Sequence, residues 1–297
     1  QLAPEGNKTS KDFINEFQTD AGIYRLMYLY ADNLHKCSEE RIEFFMHTAD
    51  VRGVKPAGGR LRIRQTELLD ATLKVKNLAE SIGIHLMLGE GNLIGAVRNG
   101  GFVPWDDDMD LLLMRDDYKR LIDYCDLNGM LYVSSSLEMN QNDNYRETVR
   151  KMYDENKEIL FTLNGSFLAA YVKSSNGGSY PYIVDIFPLD YYNESCTYDE
   201  LRKYVNECSV YCRKSMMSFK ERIEYNDRIA HDGGFVSEVP TGRIGYGIET
   251  FFVISECSDF CRADAVLPVT GISFEGHDFA APSKPEEFLK MEYGDIY

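Results

Sequence analysis

Basic residues are scarce: 32 Lys and Arg stand against 48 Asp and Glu, giving a formal charge of −16 at pH 7. So acidic a chain offers no basic footprint along which a nucleic-acid backbone could lie, and nucleic acid is excluded as an expected partner. A polyphosphate substrate would need a divalent metal and a few local Arg or Lys to offset the repulsion. No apolar run approaches the ~18 residues of a membrane span, and no signal-peptide pattern opens the chain. Peripheral membrane association stays open, and because the chain starts at Gln1 instead of Met, any upstream targeting segment is beyond reach. Seven Cys, an odd number, form no dense disulfide framework, which points to a reducing, cytoplasmic setting. The five His show no metal-ligand spacing. Internal repeats and low-complexity tracts are absent.

What is present is an ordinary globular composition, 297 residues with 44% hydrophobic content, enough for a substantial core. Residues 1–60 read as a helical extension and a Gly/Pro linker, 61–190 as a catalytic core, and 191–297 as a helical and C-terminal region packed on it. Leu61 to Ile82 carries apolar residues at the 3.6 period, and Gly83 is a natural stop. Ile84–Leu88 and Met109–Met114 read as strands, the second without alternation, as for a strand buried on both faces. Leu131–Ser134, Val149–Tyr153, Phe167–Val172 and Tyr182–Phe187 are further strand candidates. Thr197 and Glu200 make a capping box for a helix expected to run toward Ala230 along Leu201, Val205, Cys208 and Cys212. Residues 231–247 read as loop, Glu249–Cys261 as helix, Gly271–Phe279 as a short β piece, and Pro285 onward as a last helix. Alternating elements of this kind predict an α/β (α+β) fold with a mixed sheet.

The chemistry concentrates in GGFVPWDDDMDLLLM, Gly100 to Met114, where four carboxylates fall in five positions ahead of an apolar run. In an extended strand, Asp106, Asp108 and Asp110 share a face, and same-face neighbours lie about 7 Å apart, close enough to ligate one Mg²⁺ or Mn²⁺. The bland alternative is a solvated Asp-rich turn that caps a helix, against which Trp105 and Leu111–Met114 pull the cluster inward. Asp185 is a lone acid in IVDIF, costly to bury unless it is paired or metal-bound. Asp190, after Pro188, reads as a turn or cap residue. Cys208/Cys212 and Cys257/Cys261 are i,i+4 pairs that could hold zinc, with core packing the default.

From Leu88 the chain reads LGEGNLIGAVRNGGFVPWDDDMD, which closely resembles the LicD family pattern G-T-L-L-G-A-x-R-x-x-G-F-I-P-W-D-D-D-x-D over Gly91–Asp110. VDIFPLD at Val184–Asp190 and FLKMEYGDIY at Phe288–Tyr297 resemble two further stretches of that family, in the same order. Its members include the phosphocholine transferases of bacterial surface polysaccharides, and share a nucleotidyltransferase-type fold with fukutin and its related protein.

The resemblance implies a nucleotidyltransferase-like core in which Gly91, Asn92 and Gly95 cradle the donor's phosphates, with Arg98 and Lys151 as further phosphate contacts. Arg98 could equally pair with the acidic cluster, and Lys151 could be an exposed strand residue. It implies Asp108, Asp110 and Asp185 as metal ligands, Asp106 as a further ligand or a partner of the ligands, and Asp185 or Asp106 as the group that orients or deprotonates an acceptor hydroxyl. The implied cofactor is Mg²⁺ or Mn²⁺. The implied donor is CDP-choline or a related CDP-alcohol, the acceptor a cell-surface glycan or teichoic acid precursor, and the product CMP. Rival readings are nucleotidyl transfer with loss of pyrophosphate and a catalytically silent nucleotide- or glycan-binding homologue, the latter favoured only by Glu90 and by Asn92 where the family usually has Ser or Thr. Cytosolic CDP-choline use by bacterial members implies the cytoplasm, with a Golgi lumen as the eukaryotic alternative. Tyr293, Gly294 and Asp295 belong to the family stretch without an evident role.

Overall fold

The computed structural model describes residues 56–133, 141–163, 167–178, 180–214, 219–257 and 259–294. The expected N-terminal extension falls almost wholly outside them. The first described helix, α1 (Gly59–Ser81), buries Leu61, Leu68, Leu69, Thr72, Val75 and Ala79, the stripe that the 3.6 period predicts. Then follow β1 (Met87–Leu88), α2 (Glu90–Asn99), β2 (Asp110–Met114), α3 (Arg115–Leu127) and β3 (Leu131–Tyr132). The middle of the chain holds α4 (Gln141–Asp154), β4 (Ile159–Leu163), β5 (Leu168–Val172) and the long β6 (Tyr182–Tyr192). After it come α5 (Tyr198–Lys214), α6 (Phe219–Asp232), β7 (Val236–Ser237), β8 (Arg243–Tyr246), α7 (Phe251–Glu256) and β9 (Cys261–Arg262). The chain closes with α8 (Ala263–Val266), β10 (Thr270–Phe274), β11 (His277–Ala281) and α9 (Pro285–Tyr293).

All the strands join one mixed sheet of order β10-β11-β1-β2-β6-β5-β4-β3, with β7 and β8 on the far stretch of β6 and β9 on β8. Pairing is parallel for β2–β6, β1–β11 and β3–β4, and antiparallel elsewhere. The α/β expectation holds. Because alternate residues share a face, the register Asp110↔Asp185↔Ala169↔Thr162 lays these four side chains in one row across β2, β6, β5 and β4. Tyr171, Phe187 and Leu112 lie on that same face.

Several local expectations change. Val149–Tyr153 lies in α4 rather than a strand: Asn144, Thr148 and Met152 are buried at helical spacing, and a short apolar run cannot tell the two periods apart. Ile159–Leu163 is a strand without having signalled itself, and residues 231–247 contain β7 and β8. The helix capped by Thr197 and Glu200 keeps its capping box, with Thr197 N–H donating to Glu200 Oε2 at 2.9 Å; it is helical up to Lys214 and the chain is helical again from Phe219, while 215–218 lie outside the described residues. Cys208, Cys257 and Cys261 are buried and in no disulfide, and the side chain of Cys212 lies outside the described ones.

Asp190 is not a turn residue. It sits in β6, 2% exposed, on the face opposite Asp185, and accepts two hydrogen bonds from Arg115 at the start of α3, at 2.8 and 2.6 Å. The same guanidinium reaches Glu249 at 2.7 and 2.9 Å. Burial works against the Arg115 charge, and the two carboxylates more than offset it. Removing the cation would strand two buried anions, so Arg115→Met should cost about 3–5 kcal/mol in urea unfolding. The triple variant Arg115→Met, Asp190→Leu, Glu249→Leu should recover most of that loss; a single variant within ~0.5 kcal/mol of the parent would show that the triad contributes nothing.

Candidate active site

Strand β2 starts only at Asp110, so Asp106 and Asp108 lie in the loop before it and not in an extended strand as expected. They still converge with Asp110, because the loop is wired by side chains to backbone. Gln65 of α1, 1% exposed, donates to the carbonyls of Asp106 at 2.8 Å and Val103 at 3.3 Å. Arg64 donates to Asp107 O and pairs with its carboxylate, both at 3.1 Å. Arg62 forks onto Glu275 at 2.9 and 2.6 Å, and Glu275 accepts the Phe102 N–H at 3.0 Å, tying the loop to the turn between β10 and β11. Backbone groups that no strand partner satisfies are thus held by side chains of α1 and of the β10–β11 turn.

Asn92, expected to donate to phosphate, is fully buried and committed to the same loop. Its amide donates to Asp108 O at 3.1 Å and, more weakly, to Asp106 at 3.4 Å, while its Oδ1 accepts the Asp110 N–H at 2.6 Å. Gly91 lies directly against the acids: a Cβ there would sit 2.9 Å from Asp106 Oδ2. Gly95 serves packing, since its Cβ would stand 2.3 Å from Gly101 O. Arg98 occupies the last turn of α2, roughly 9 Å along the axis from Asn92 at 1.5 Å per residue. Lys151 is in the last turn of α4, paired with Glu155 at 2.5 Å and over the Tyr132 ring. The described contacts of Lys151 are thus with Glu155 and Tyr132, not with the carboxylates. His85 is exposed.

The charges acting on the row are of one sign. Burial drives the Asp110 carboxyl well above the usual range, and Asp108, Asp185, Glu90 and Asp106 push it further. Burial, then Asp108, lifts Asp185 to about 7. Asp106 reaches about 9 through burial, then Asp108 and Asp107. Asp185 is only partly exposed, and its Oδ1 has no hydrogen-bond partner. An all-oxygen donor set with an orphaned buried oxygen and unrelieved mutual repulsion fits a hard divalent cation. Among the described residues, no three of these groups are drawn into a ready coordination shell.

Four side chains that gave no sign in the sequence line the same face. Tyr171, whose hydroxyl burial and Asp185 both push up, makes a 5.8 Å ring contact with Tyr145 and so places α4 over this side of the sheet. Thr162 Oγ1 and both amide atoms of Asn144 are buried without hydrogen-bond partners. A lone Thr in a strand or Asn in a helix carries no pattern; only the sheet register shows that Thr162 ends the row begun by Asp110.

Residues 83–211 match the family described as LicD/FKTN/FKRP, nucleotidyltransferase domain. Among curated proteins, the lipopolysaccharide cholinephosphotransferase LicD of Haemophilus influenzae is 44% identical over 63 residues, 21% of this chain and 24% of that protein. The chain thus spans about a quarter of the length of the curated relative it matches. No helix among the described residues is long and apolar enough to cross a membrane.

A folded-state pKa raised above that of the unfolded chain makes an acid cost stability as it ionises. For Asp185 and Asp106 the cost is nil below about pH 4 and complete only above about 7 and 9. Metal-free protein should therefore lose stability as pH rises from 5 to 9, and the Mg²⁺-induced rise in Tm should grow over the same range. Thermal unfolding at constant ionic strength, with and without EDTA, reads both; a Mg²⁺ effect equal at pH 5 and pH 8.5 would refute the coupling.

Proposed function

We propose, from the match of residues 83–211 to the LicD/FKTN/FKRP nucleotidyltransferase domain, that the chain is a member of that family and transfers phosphocholine, or a similar phospho-alcohol, from a CDP-activated donor to a glycan hydroxyl. The observation that carries the reading is the parallel pairing of β2 and β6, which sets Asp110 beside Asp185 on one face. The printed name of the Haemophilus influenzae relative supplies the transferred group.

Mg²⁺ or Mn²⁺ held by Asp108, Asp110 and Asp185 would neutralise the donor's diphosphate and polarise the phosphoryl oxygens under attack. The residues Glu90–Asn92, at the positive end of α2, would offer backbone N–H groups to that diphosphate, Gly89 N–H being already bonded to Asp110 O. Asn92 contributes by fixing the Asp108 carbonyl and the Asp110 amide instead of touching phosphate. The acceptor oxygen attacks the phosphorus bearing the alcohol, the bridging P–O bond breaks, and CMP leaves. Asp106, the acid left outside the ligand set, would orient that hydroxyl and, ionised once a bound cation offsets the neighbouring carboxylates, take its proton. Tyr171, Thr162 and Asn144 extend the polar floor beyond Asp185, on the side from which an acceptor would approach. A CDP-alcohol made in the cytosol would place the reaction there.

Asp108→Asn and Asp110→Asn each keep volume and remove charge. Both should lower kcat by about 10²-fold or more while leaving the metal-free Tm at or above the parent's, since repulsion is relieved. Turnover of labelled CDP-choline, with CMP and the labelled acceptor measured, checks the first part. Parent-like turnover by either variant would reject the assignment, and pyrophosphate release from CTP would favour nucleotidyl transfer instead.

A further inference from the structure

The C-terminal stretch FLKMEYGDIY takes no part in the chemistry above, yet α9 sends two consecutive polar side chains to the mouth of the Gly89–Asn92 turn. Phe288 and Leu289 are fully buried and already anchor the helix, with Phe288 contacting the Tyr246 ring. Glu292, 6% exposed, receives the Tyr246 hydroxyl on Oε1, and its Oε2 has no hydrogen-bond partner. Tyr293 donates its hydroxyl to Glu90 Oε2 at 2.7 Å. Burial, then Glu90, holds the Glu292 carboxyl well above the carboxylate range, and the Tyr293 hydroxyl is raised by burial, Glu90, Glu292 and Asp110. These side chains therefore surround one point between α9, α2 and β2.

Glu90 is the strained residue of that turn. Its φ of +46° lies in the left-handed region that a side-chain-bearing residue seldom occupies. Its two neighbours cannot shift freely: a Cβ on Gly89 would meet Leu112 Cγ at 2.7 Å, and one on Gly91 would meet Asp106 Oδ2 at 2.9 Å. The left-handed step thus decides how close Gly91 and Asn92 come to the aspartates. A grip on the Glu90 side chain is a grip on the step.

We propose that Tyr293 and Glu292 are positioning residues of the active site: Glu292, moored by Tyr246, sets the end of α9 so that the Tyr293 hydroxyl holds Glu90, and with it the turn that seats Gly91 and Asn92 against the acids. The role also explains why a buried carboxylate occupies a helix end that apolar side chains could fill at lower cost. Only the kinetic arm of its test rests on the transferase reading.

The test compares Tyr293→Phe, Glu90→Ala, Glu90→Gln, which keeps an acceptor for Tyr293, and the double variant Tyr293→Phe/Glu90→Ala, by hydrogen exchange without metal or nucleotide. The informative amides are Gly89, bonded to Asp110 O at 3.0 Å, Leu93, bonded to Gly89 O at 2.9 Å, and Asp110, bonded to Asn92 Oδ1 at 2.6 Å. Tyr293→Phe and Glu90→Ala should each speed exchange there roughly ten-fold, with amides of β4 and β5 unchanged, Glu90→Gln close to the parent, and the double variant no faster than either single one. With CDP-choline, the donor KM should rise roughly ten-fold while kcat stays within about two-fold. Unchanged exchange in Tyr293→Phe, or effects that add in the double variant, would overturn the proposal. Should Tyr293→Phe fail to fold, Glu90→Ala against Glu90→Gln decides the same question with Tyr293 intact. A parent protein that turns over no CDP-alcohol sinks the transferase reading alone, since hydrogen exchange still decides whether Tyr293 holds the turn.

Discussion

The arrangement depends on keeping like charges abreast. Parallel pairing of β2 with β6 puts Asp110 beside Asp185, and the loop ahead of β2 adds Asp106 and Asp108. Left to themselves these groups would part. What keeps them together is indirect: the sheet register fixes two of them, and hydrogen bonds to backbone, not to the carboxylates, fix the others. Gln65 and Asn92 hold the carbonyls of Asp106 and Asp108 and leave the carboxylate oxygens uncommitted or weakly held. A framework of that kind supports charge without neutralising it, which is what a site that binds a cation or a proton needs.

The same logic accounts for how far the supporting residues are scattered along the chain. The acidic loop leans on α1 through Arg62, Arg64 and Gln65, on the β10–β11 turn through Glu275, and on α2 through Asn92. The turn at Glu90 leans on α9. An irregular loop of acids has few internal hydrogen bonds, so its geometry is set by the elements that surround it. Those elements belong to the first and last quarters of the described chain.

The sequence showed the acids because carboxylates packed between Trp105 and LLLM are anomalous in any folded protein, and it showed α1, β2 and α9 because their patterns are local. The strand reading of Val149–Tyr153 failed because a half-buried helix and a short strand look alike over five residues. Asn92 passed for a phosphate donor because residue type reveals what a group can donate, not which partner reaches it first; here Asp108 O does. Thr162, Asn144 and Tyr171 were silent for a different reason. The significance of Thr162 and Tyr171 is a cross-sheet register that runs over four strands, and that of Asn144 is a helix packed over it; no short-range pattern encodes either. Glu292 and Tyr293 were visible as a motif, but their meaning waited on the contact with Glu90.

Strand β6 carries two buried acids five residues apart, and the fold treats them in opposite ways. Asp190 and its neighbour Glu249 share Arg115, whose guanidinium bonds both at 2.6 to 2.9 Å, so that end of the strand has a compensating cation from within the chain. At Asp185, on the other face, burial and the Asp108 charge both raise the carboxyl, and Asp108, Asp185, Glu90 and Asp106 act on Asp110 in the same sense. Both clusters face the same desolvation cost, and a chain able to build the first compensation could have built a second. Supplying an internal cation at Asp185 would occupy the oxygens that the row presents and close the site to anything arriving with a diphosphate. The contrast along one strand is therefore the strongest support for reading the Asp110–Asp185 end as incomplete by design, its balancing charge to be brought in from solution.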